Sequence, residues 1–457
     1  MIERVSVVGL GKLGACIAAC AASRGMEVVG VDSNRRNVGL INDGQAPVVE
    51  PGLVEMIAAN RVRLRATQDY SDAIMGSDLT LIVVPTPSDQ DGRFSLAYVL
   101  DAAKSIGAAL ASKSDYHIVS VTSTVLPGST QAAIVPTLER ASGKKCGDAF
   151  GVCYNPEFIA LGDVIRGLLK PDFVLIGESD TRCGGALERW YESFCENQPP
   201  VHRMNFVNAE LTKIAVNTFV TTKITFANML AAICEELPGG DIDVVTAALG
   251  ADARIGRRYL TGALGYGGPC FPRDNQALAY IARALGCQAA LAESTDRSNR
   301  TLLDRHVTRI KAAIAPQMTV GVLGVAYKPD TNVVEESQGL VIAQRLAQDG
   351  RQVVVFDPYA NDSARRILNH SVQYAASLNE CVRRCEALIV ANPCREFRSL
   401  KAADIARRRR PLIVFDFWRI LEEGFRHCEW IDYHAVGYGE ADSARKARIS
   451  SIWSSEK

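Results

Sequence analysis

The sequence predicts an α/β protein, with two doubly wound parallel-sheet domains joined by a long central helix and a helical region. Three observations carry this reading. Short apolar runs alternate with helical stretches over the first 200 residues, and the same alternation restarts near Thr319. Between them, Asn208 to about Leu237 holds no Gly or Pro and spaces Leu211, Ile214, Ala215, Phe219, Phe226, Met229, Leu230 and Ile233 near the helical period. At 457 residues the chain exceeds one core, and length suggests about two to four domains. The expected divisions are 1–200, a central helical region 201–300, a second sheet domain 315–437, and a polar, loose tail 438–457.

Composition narrows the function classes. Lys+Arg and Asp+Glu balance at 51 each, so nothing predicts long-range attraction to nucleic acid or an anionic membrane. Any anionic ligand must be held by local groups. No apolar run approaches the ~20 residues of a membrane span. Met1-Ile2-Glu3-Arg4 leads into a strand without a basic-then-apolar signal sequence, which makes the cytoplasm the expected compartment. Thirteen cysteines show no disulfide framework. Cys16/Cys20 and Cys381/Cys385, four apart in helical patterns, read as helix packing, and no metal site is expected.

The first element is a strand, Arg4 to Val8, followed by Gly9-Leu10-Gly11-Lys12-Leu13-Gly14, an alanine-rich helix to Arg24, and a strand from Glu27 to Val31 ending at Asp32. This is the dinucleotide fingerprint of a Rossmann-like domain in full context. Gly9 makes the turn, Gly11 lets a pyrophosphate approach, and Gly14 lets helix and strand pack, with Leu13 at the helix start. Asp32 would accept from the adenosine ribose, favouring NAD; Arg35 and Arg36 keep NADP as a minor alternative.

Three further strands end in polar tips: Leu79 to Val84 before Thr86, His117 to Val121 before Thr124, and Phe150 to Tyr154 before Asn155-Pro156-Glu157-Phe158. Ligands of doubly wound sheets bind at such carboxyl ends. A strand at Asp172 to Gly177 is expected to close the domain. On the long helix, Lys213 and Asn217 lie four apart and share a face; a surface lysine and a tolerated asparagine are the simpler reading of spacing alone.

Gly265-Tyr266-Gly267-Gly268-Pro269-Cys270-Phe271-Pro272-Arg273-Asp274 cannot continue a helix or a central strand. It is a shaped loop holding one cysteine near a cation, which favours thiolate over thiol. A buried structural cysteine is the commoner reading of a cysteine alone. The dinucleotide site and the spaced polar partners elsewhere in the chain turn the reading toward a nucleophile. Later, Val320 to Gly324, a helix after Ser337, and Gln352 to Asp357 form a second Rossmann-like unit. Its Gly321-Val322-Leu323-Gly324 lacks the phosphate fingerprint, which argues for a different ligand or none. Glu386 to Ala391 and Leu412 to Phe415 read as later strands.

In order, the fingerprint, Thr86-Pro87, Ser123-Thr124-Val125, Asn155 to Phe158, Ala209-Glu210-Leu211-x-Lys213-x-x-x-Asn217, Arg254-Ile255-Gly256, the cysteine loop and Tyr327-Lys328-Pro329-Asp330-Thr331 resemble the UDP-glucose/GDP-mannose dehydrogenase family over roughly residues 1 to 420. The resemblance implies four-electron oxidation of a nucleotide sugar's C6 alcohol to a carboxylate, UDP-glucose foremost, with NAD as cofactor. Cys270 would hold the aldehyde and then a thioester. Lys213 and Asn217 would stabilise the oxyanion, and Asp274 would aid proton transfer. Glu157 would activate water, with Thr124 ordering it. Phe158, Tyr266 and Gly267 fall among the substrate-binding positions; Arg254 matches an arginine reaching the neighbouring subunit's substrate. Lys328 and Arg419 resemble residues at the cofactor–substrate junction and the sugar nucleotide. The same resemblance implies a homodimer through the central helix, with higher assembly left open.

The sequence departs from the family's pattern at Arg273, where lysine is usual, at Pro269 and Leu161, and across Val333-Val334-Glu335-Glu336-Ser337. These departures leave the chemistry intact and the sugar open, so a UDP-N-acetylhexosamine or GDP-mannose is the alternative substrate. Two remoter readings compete. A two-electron NAD dehydrogenase needs a lysine and no cysteine, leaving Cys270, Glu157 and the second Rossmann-like unit unexplained. A non-catalytic NAD-binding protein would not be expected to keep the whole constellation.

Overall fold

Strands β1 Arg4–Val8, β2 Glu27–Val31, β3 Leu64–Thr67, β4 Leu79–Ile82, β5 His117–Val121, β6 Phe150–Tyr154, β7 Val174–Glu178 and β8 Val201–Met204 build one sheet in the order β3-β2-β1-β4-β5-β6-β7-β8. The computed structural model describes residues 2–159, 162–405, 407, 409–440 and 442–454; Leu161 lies outside them. It divides into two units, Met1–Val216 with Tyr280–Cys287, and Asn217–Ala279 with Gln288–Lys457.

In the first unit every strand pair is parallel except β6 with β7. The strands β4, β5 and β6 are buried throughout, as expected when helices cover both faces. Val8 pairs with Val31 on one side and Ile82 on the other, so the ends of β1, β2 and β4 are level. The order reverses at β1, which makes this edge a switch point where ligands bind. The expected closing strand forms as β7 but runs antiparallel, and β8 continues the sheet beyond it. Sequence patterning gave no warning of β8, whose half-exposed Val-His-Arg-Met carries no apolar run.

The second unit repeats the architecture with β9 Val320–Leu323, β10 Val353–Phe356, β11 Gln373–Tyr374, β12 Ala387–Val390, β13 Leu412–Asp416 and β14 Ile431–Ala435, ordered β11-β10-β9-β12-β13-β14 and parallel throughout. Cys381 and Cys385 are buried, as the packing reading expects. A Cβ on Gly321 would fall 3.0 Å from either sulfur, so that glycine makes room for the two thiols.

Helix Phe206–Cys234 spans 29 residues, beginning and ending two to three residues earlier than the expected bounds. It begins in the first unit and continues in the second, and Pro238-Gly239-Gly240 follows its end.

The loose tail is corrected. Residues Ser443–Ser454 form a helix, and the stretch before it is tied down. Gly239 N–H donates to Gly439 O at 2.8 Å, and Gly439 N–H to Gly240 O at 2.9 Å. A Cβ on Gly439 would lie 1.9 Å from the Leu237 oxygen, so the contact depends on glycine. Arg448 adds an ion pair to Glu236. Polarity alone suggested disorder; backbone pairing to the 237–242 turn supplies the order.

Candidate active site

The first unit carries a cofactor cradle. Gly9 has φ +95°, and a Cβ there would stand 2.5 Å from the Val83 oxygen. A Cβ on Gly14 would meet the Gly9 oxygen at 1.8 Å, so helix Gly14–Ser23 seats on the turn only because residue 14 is bare. Gly11 differs: nothing lies within 4 Å of its missing Cβ, leaving open space for a ligand's approach. Leu13 stands at the N-cap with no side-chain hydrogen bond, and no acid occupies the first turn. Ala15 N–H donates to the Gly11 carbonyl at 3.1 Å, and no side chain or acid competes with an anion for this helix start. Asp32 accepts from Leu10 N–H at 2.8 Å and Asn37 Nδ2 at 3.3 Å on Oδ2 and from Asn34 N–H at 2.7 Å on Oδ1, where a lone pair remains for a ribose hydroxyl. These residues fit the pyrophosphate and ribose of NAD.

The strand tips are joined. Thr86 Oγ1 donates to the Thr124 carbonyl at 2.8 Å, and Val84 N–H donates to Ser123 Oγ at 2.9 Å. Buried Glu210 accepts from Gly128 N–H at 2.6 Å and Thr130 N–H at 2.8 Å, fixing the loop that carries Thr124 to the start of the long helix. Sequence reasoning gave Glu210 no role, although it lies three residues before Lys213 in the same run.

Lys213 is 8% exposed, which overturns the surface-lysine reading. Its Nζ donates to the Glu157 carbonyl at 2.6 Å and lies 4.6 Å from the Phe158 ring centroid. Glu157, Phe158 and Lys213 thus come together within one unit. Burial pushes the Glu157 carboxyl up to about 7, against the opposing pulls of a Tyr191 hydrogen bond, when the phenol donates it, and of the Lys213 charge. Near neutrality such a group can take or give a proton. Tyr191, missed in the sequence, stands 3.1 Å from Glu157 Oε1.

The second unit holds the cysteine. Cys270 is exposed and immediately precedes helix Phe271–Ala284, with Asp274 N–H donating to its carbonyl at 2.8 Å. Asp274 is fully buried; Asn217 Nδ2 donates to its Oδ2 at 2.6 Å, and Arg273 Nε and Nη2 reach its Oδ1 at 3.1 Å. Arg273, where the family pattern has lysine, therefore grips the neighbouring carboxylate with a fork that an ammonium cannot form.

The loop's glycines serve packing more than ligand approach. A Cβ on Gly267 would sit 2.1 Å from the Glu336 oxygen, and one on Gly268 (φ +84°) would sit 2.5 Å from the Tyr327 ring. Tyr266 is buried; its hydroxyl meets Asp296 and Asn275, and Asn299 brackets its backbone at 3.0 and 2.9 Å. The structure thus makes Tyr266 and Gly267 anchors of the cysteine loop. Arg254 is exposed and paired with Asp252. Arg419 is nearly buried at φ +53°, its Nε and both Nη atoms facing Asp241 and Glu422 at 2.6 to 3.0 Å.

Lys328 is half-buried in the loop after β9. That loop hides a correspondence the sequence did not reveal. Val325 and Ala326 N–H donate to Asp357 Oδ2 at 2.9 Å, as Leu10 does to Asp32. A Cβ on Gly339 would meet the Gly324 oxygen at 2.2 Å, as Gly14 meets Gly9. The two turn glycines persist, but a longer loop replaces the phosphate fingerprint between them, so the spacing concealed them.

Sheet order and fingerprint together define a dinucleotide-binding domain, and the family matches make its class an NAD-dependent dehydrogenase. Three models of one family match the chain: the NAD binding domain of the UDP-glucose/GDP-mannose dehydrogenase family over residues 3–195, its central domain over 207–301, and its UDP binding domain over 321–423. A UDP-glucose 6-dehydrogenase of Haloferax volcanii is 37% identical over 436 residues, 94% of this chain and 99% of that protein. A GDP-mannose 6-dehydrogenase of Pseudomonas syringae pv. syringae is 33% identical over 410 residues, 87% of this chain and 92% of that protein. The solved UDP-glucose dehydrogenase of the hyperthermophilic archaeon Pyrobaculum islandicum superposes with a TM-score of 0.86 at 33% identity, covering 96% of this chain and 98% of that one. The chain belongs to the UDP-glucose/GDP-mannose dehydrogenase family, the NAD-dependent nucleotide-sugar 6-dehydrogenases.

Proposed function

We propose that the chain oxidises the C6 alcohol of UDP-glucose to the carboxylate through a covalent adduct on Cys270. The observation that carries this reading is the setting of that thiol: exposed, at the head of a helix whose first turn contains buried Asp274. A helix N-terminus and the neighbouring Arg273 cation favour the thiolate that attacks carbonyl carbon. Two NAD molecules, bound in turn, would each accept one hydride, one for each of the two oxidations. Cys270 Sγ adds to the aldehyde, retaining it as a thiohemiacetal and then as a thioester. Lys213 and Asn217 stabilise the oxyanion. Asp274 aids proton transfer, and Glu157 takes the proton of the water that releases the acid, with Thr124 ordering that water.

UDP-glucose is favoured because the Haloferax and Pyrobaculum relatives carry that substrate in their names. The Pseudomonas relative keeps GDP-mannose as the second reading. In domain terms, 1–200 binds NAD, 201–300 forms the dimer and 315–437 holds the sugar nucleotide, with Lys328 and Arg419 near it. The dimer is supported by Phe219, Phe226, Met229 and Ile233 on the long helix, apolar side chains between 45% and 64% exposed. Arg254, exposed, would reach the neighbouring subunit's substrate. A cytoplasmic location completes the reading; no helix among the described residues is long and apolar enough to cross a membrane.

The test is a trapped adduct. Glu157→Gln incubated with UDP-glucose and NAD should accumulate a sugar acyl group on Cys270, seen by intact mass and peptide mapping. Turnover without any adduct in this variant would contradict the covalent route.

A further inference from the structure

Tyr191, on helix Thr181–Phe194, is buried, with its hydroxyl oxygen 2.6 Å from Asn155 Oδ1 and 3.1 Å from Glu157 Oε1. A phenol has one proton and cannot donate fully to both. Asn155 decides between them. Its Nδ2 lies 2.9 Å from the Leu175 carbonyl oxygen, an acceptor only, so the amide nitrogen must face Leu175 and the amide oxygen must face Tyr191. Two oxygens 2.6 Å apart need a proton between them, and the amide oxygen has none to give. The phenol proton therefore points at Asn155, and a lone pair points at Glu157. Such a lone pair attracts a protonated carboxyl and repels a carboxylate.

We propose that Tyr191, oriented by Asn155, is a positioning residue that accepts a hydrogen bond from the protonated Glu157 carboxyl and so favours that form over the carboxylate that acts as base. This rests on the reading of Glu157 as the acid–base group. The other titratable groups facing Glu157 in its unit are Lys213, whose charge favours the carboxylate, and the buried thiols Cys20 and Cys195. Burial opposes Lys213; a phenol proton donated to Glu157 would side with Lys213, whereas with that proton held by Asn155 the Tyr191 lone pair sides with burial.

Tyr191→Phe removes the oxygen and keeps the ring packed against Trp190 and Phe194. Two readouts follow the Glu157 titration: the protonated-carboxyl stretch in infrared difference spectra, assigned by its loss in Glu157→Gln, and the acid limb of kcat. Both midpoints should fall by roughly one pH unit in Tyr191→Phe. Asn155→Ala should lower them too, because the phenol proton can then turn to Glu157. An upward shift in Tyr191→Phe, the result if Tyr191 donates to Glu157, overturns the proposal, and so does an unmoved midpoint. If Glu157→Gln turns over normally, the acid–base reading fails by itself, while the infrared midpoint still decides the Tyr191 contact.

Discussion

Asn217 donates from Nδ2 to Asp274 Oδ2 at 2.6 Å, and Asp274 is fully buried. With Arg273 on the other oxygen, this places two donors on one sequestered carboxylate. Removing one partner of a buried charge exposes the desolvation cost of what remains.

Asn217→Ala should therefore cost about 1–3 kcal/mol of stability, together with a loss of turnover. Asn217→Asp should cost more, since it removes the donor and sets a second carboxyl oxygen against buried Asp274 Oδ2. Denaturant melts with parallel kcat measurements check both. Equal stability of Asn217→Asp and wild type would contradict the contact.

Lys213→Met should lower kcat by about 10²–10³ while changing the sugar KM little, if the ammonium acts on charge that develops during reaction. The opposite pattern, an unchanged kcat with a raised KM, would make Lys213 a ground-state binding residue.

The fingerprint glycines separate packing from ligand approach. Gly14→Ala places a methyl 1.8 Å from the Gly9 oxygen and should weaken both folding and NAD binding. Gly11→Ala meets nothing within 4 Å, so its melting temperature should hold while NAD affinity falls. Thermal melts with NAD titration distinguish these; full NAD affinity in Gly11→Ala would move the cofactor away from this turn.

Stability should fall in mild acid. Burial depresses His117 and His306 to about 3, well below the ordinary histidine value near 6.5. Their stabilisation is complete above the unfolded value and is lost as pH falls from about 6.5 toward about 3, at up to ~1.4 kcal/mol per pH unit for each histidine. His306 packs against the Phe417 ring at 4.7 Å, so His306→Phe keeps an aromatic there and should flatten part of the slope. An identical pH slope in that variant would contradict the assignment.

The fold was largely legible because parallel strands buried on both faces read as apolar runs, and Gly9, Gly11 and Gly14 punctuate the first of them. Strand β8 was not, since pairing with β7 rather than local pattern stabilises it, and the stretch before the helix Ser443–Ser454 is held by backbone pairing with the 237–242 turn. The site was legible through resemblance more than spacing. Lys213 looked like a surface residue until the structure buried it, and Tyr191 and Asp357 matter through partners 34 and about 31 residues away. The cysteine-loop glycines were read for ligand approach, yet Gly267 is bare because the Glu336 carbonyl fills that space.

The most direct measurement is NADH formed per sugar consumed, run to completion on UDP-glucose beside the N-acetylhexosamine and GDP-mannose substrates, with wild type and Cys270→Ala. The account predicts two NADH per UDP-glucose and loss of steady turnover in the variant. One NADH per sugar, unchanged by removing the thiol, would contradict it.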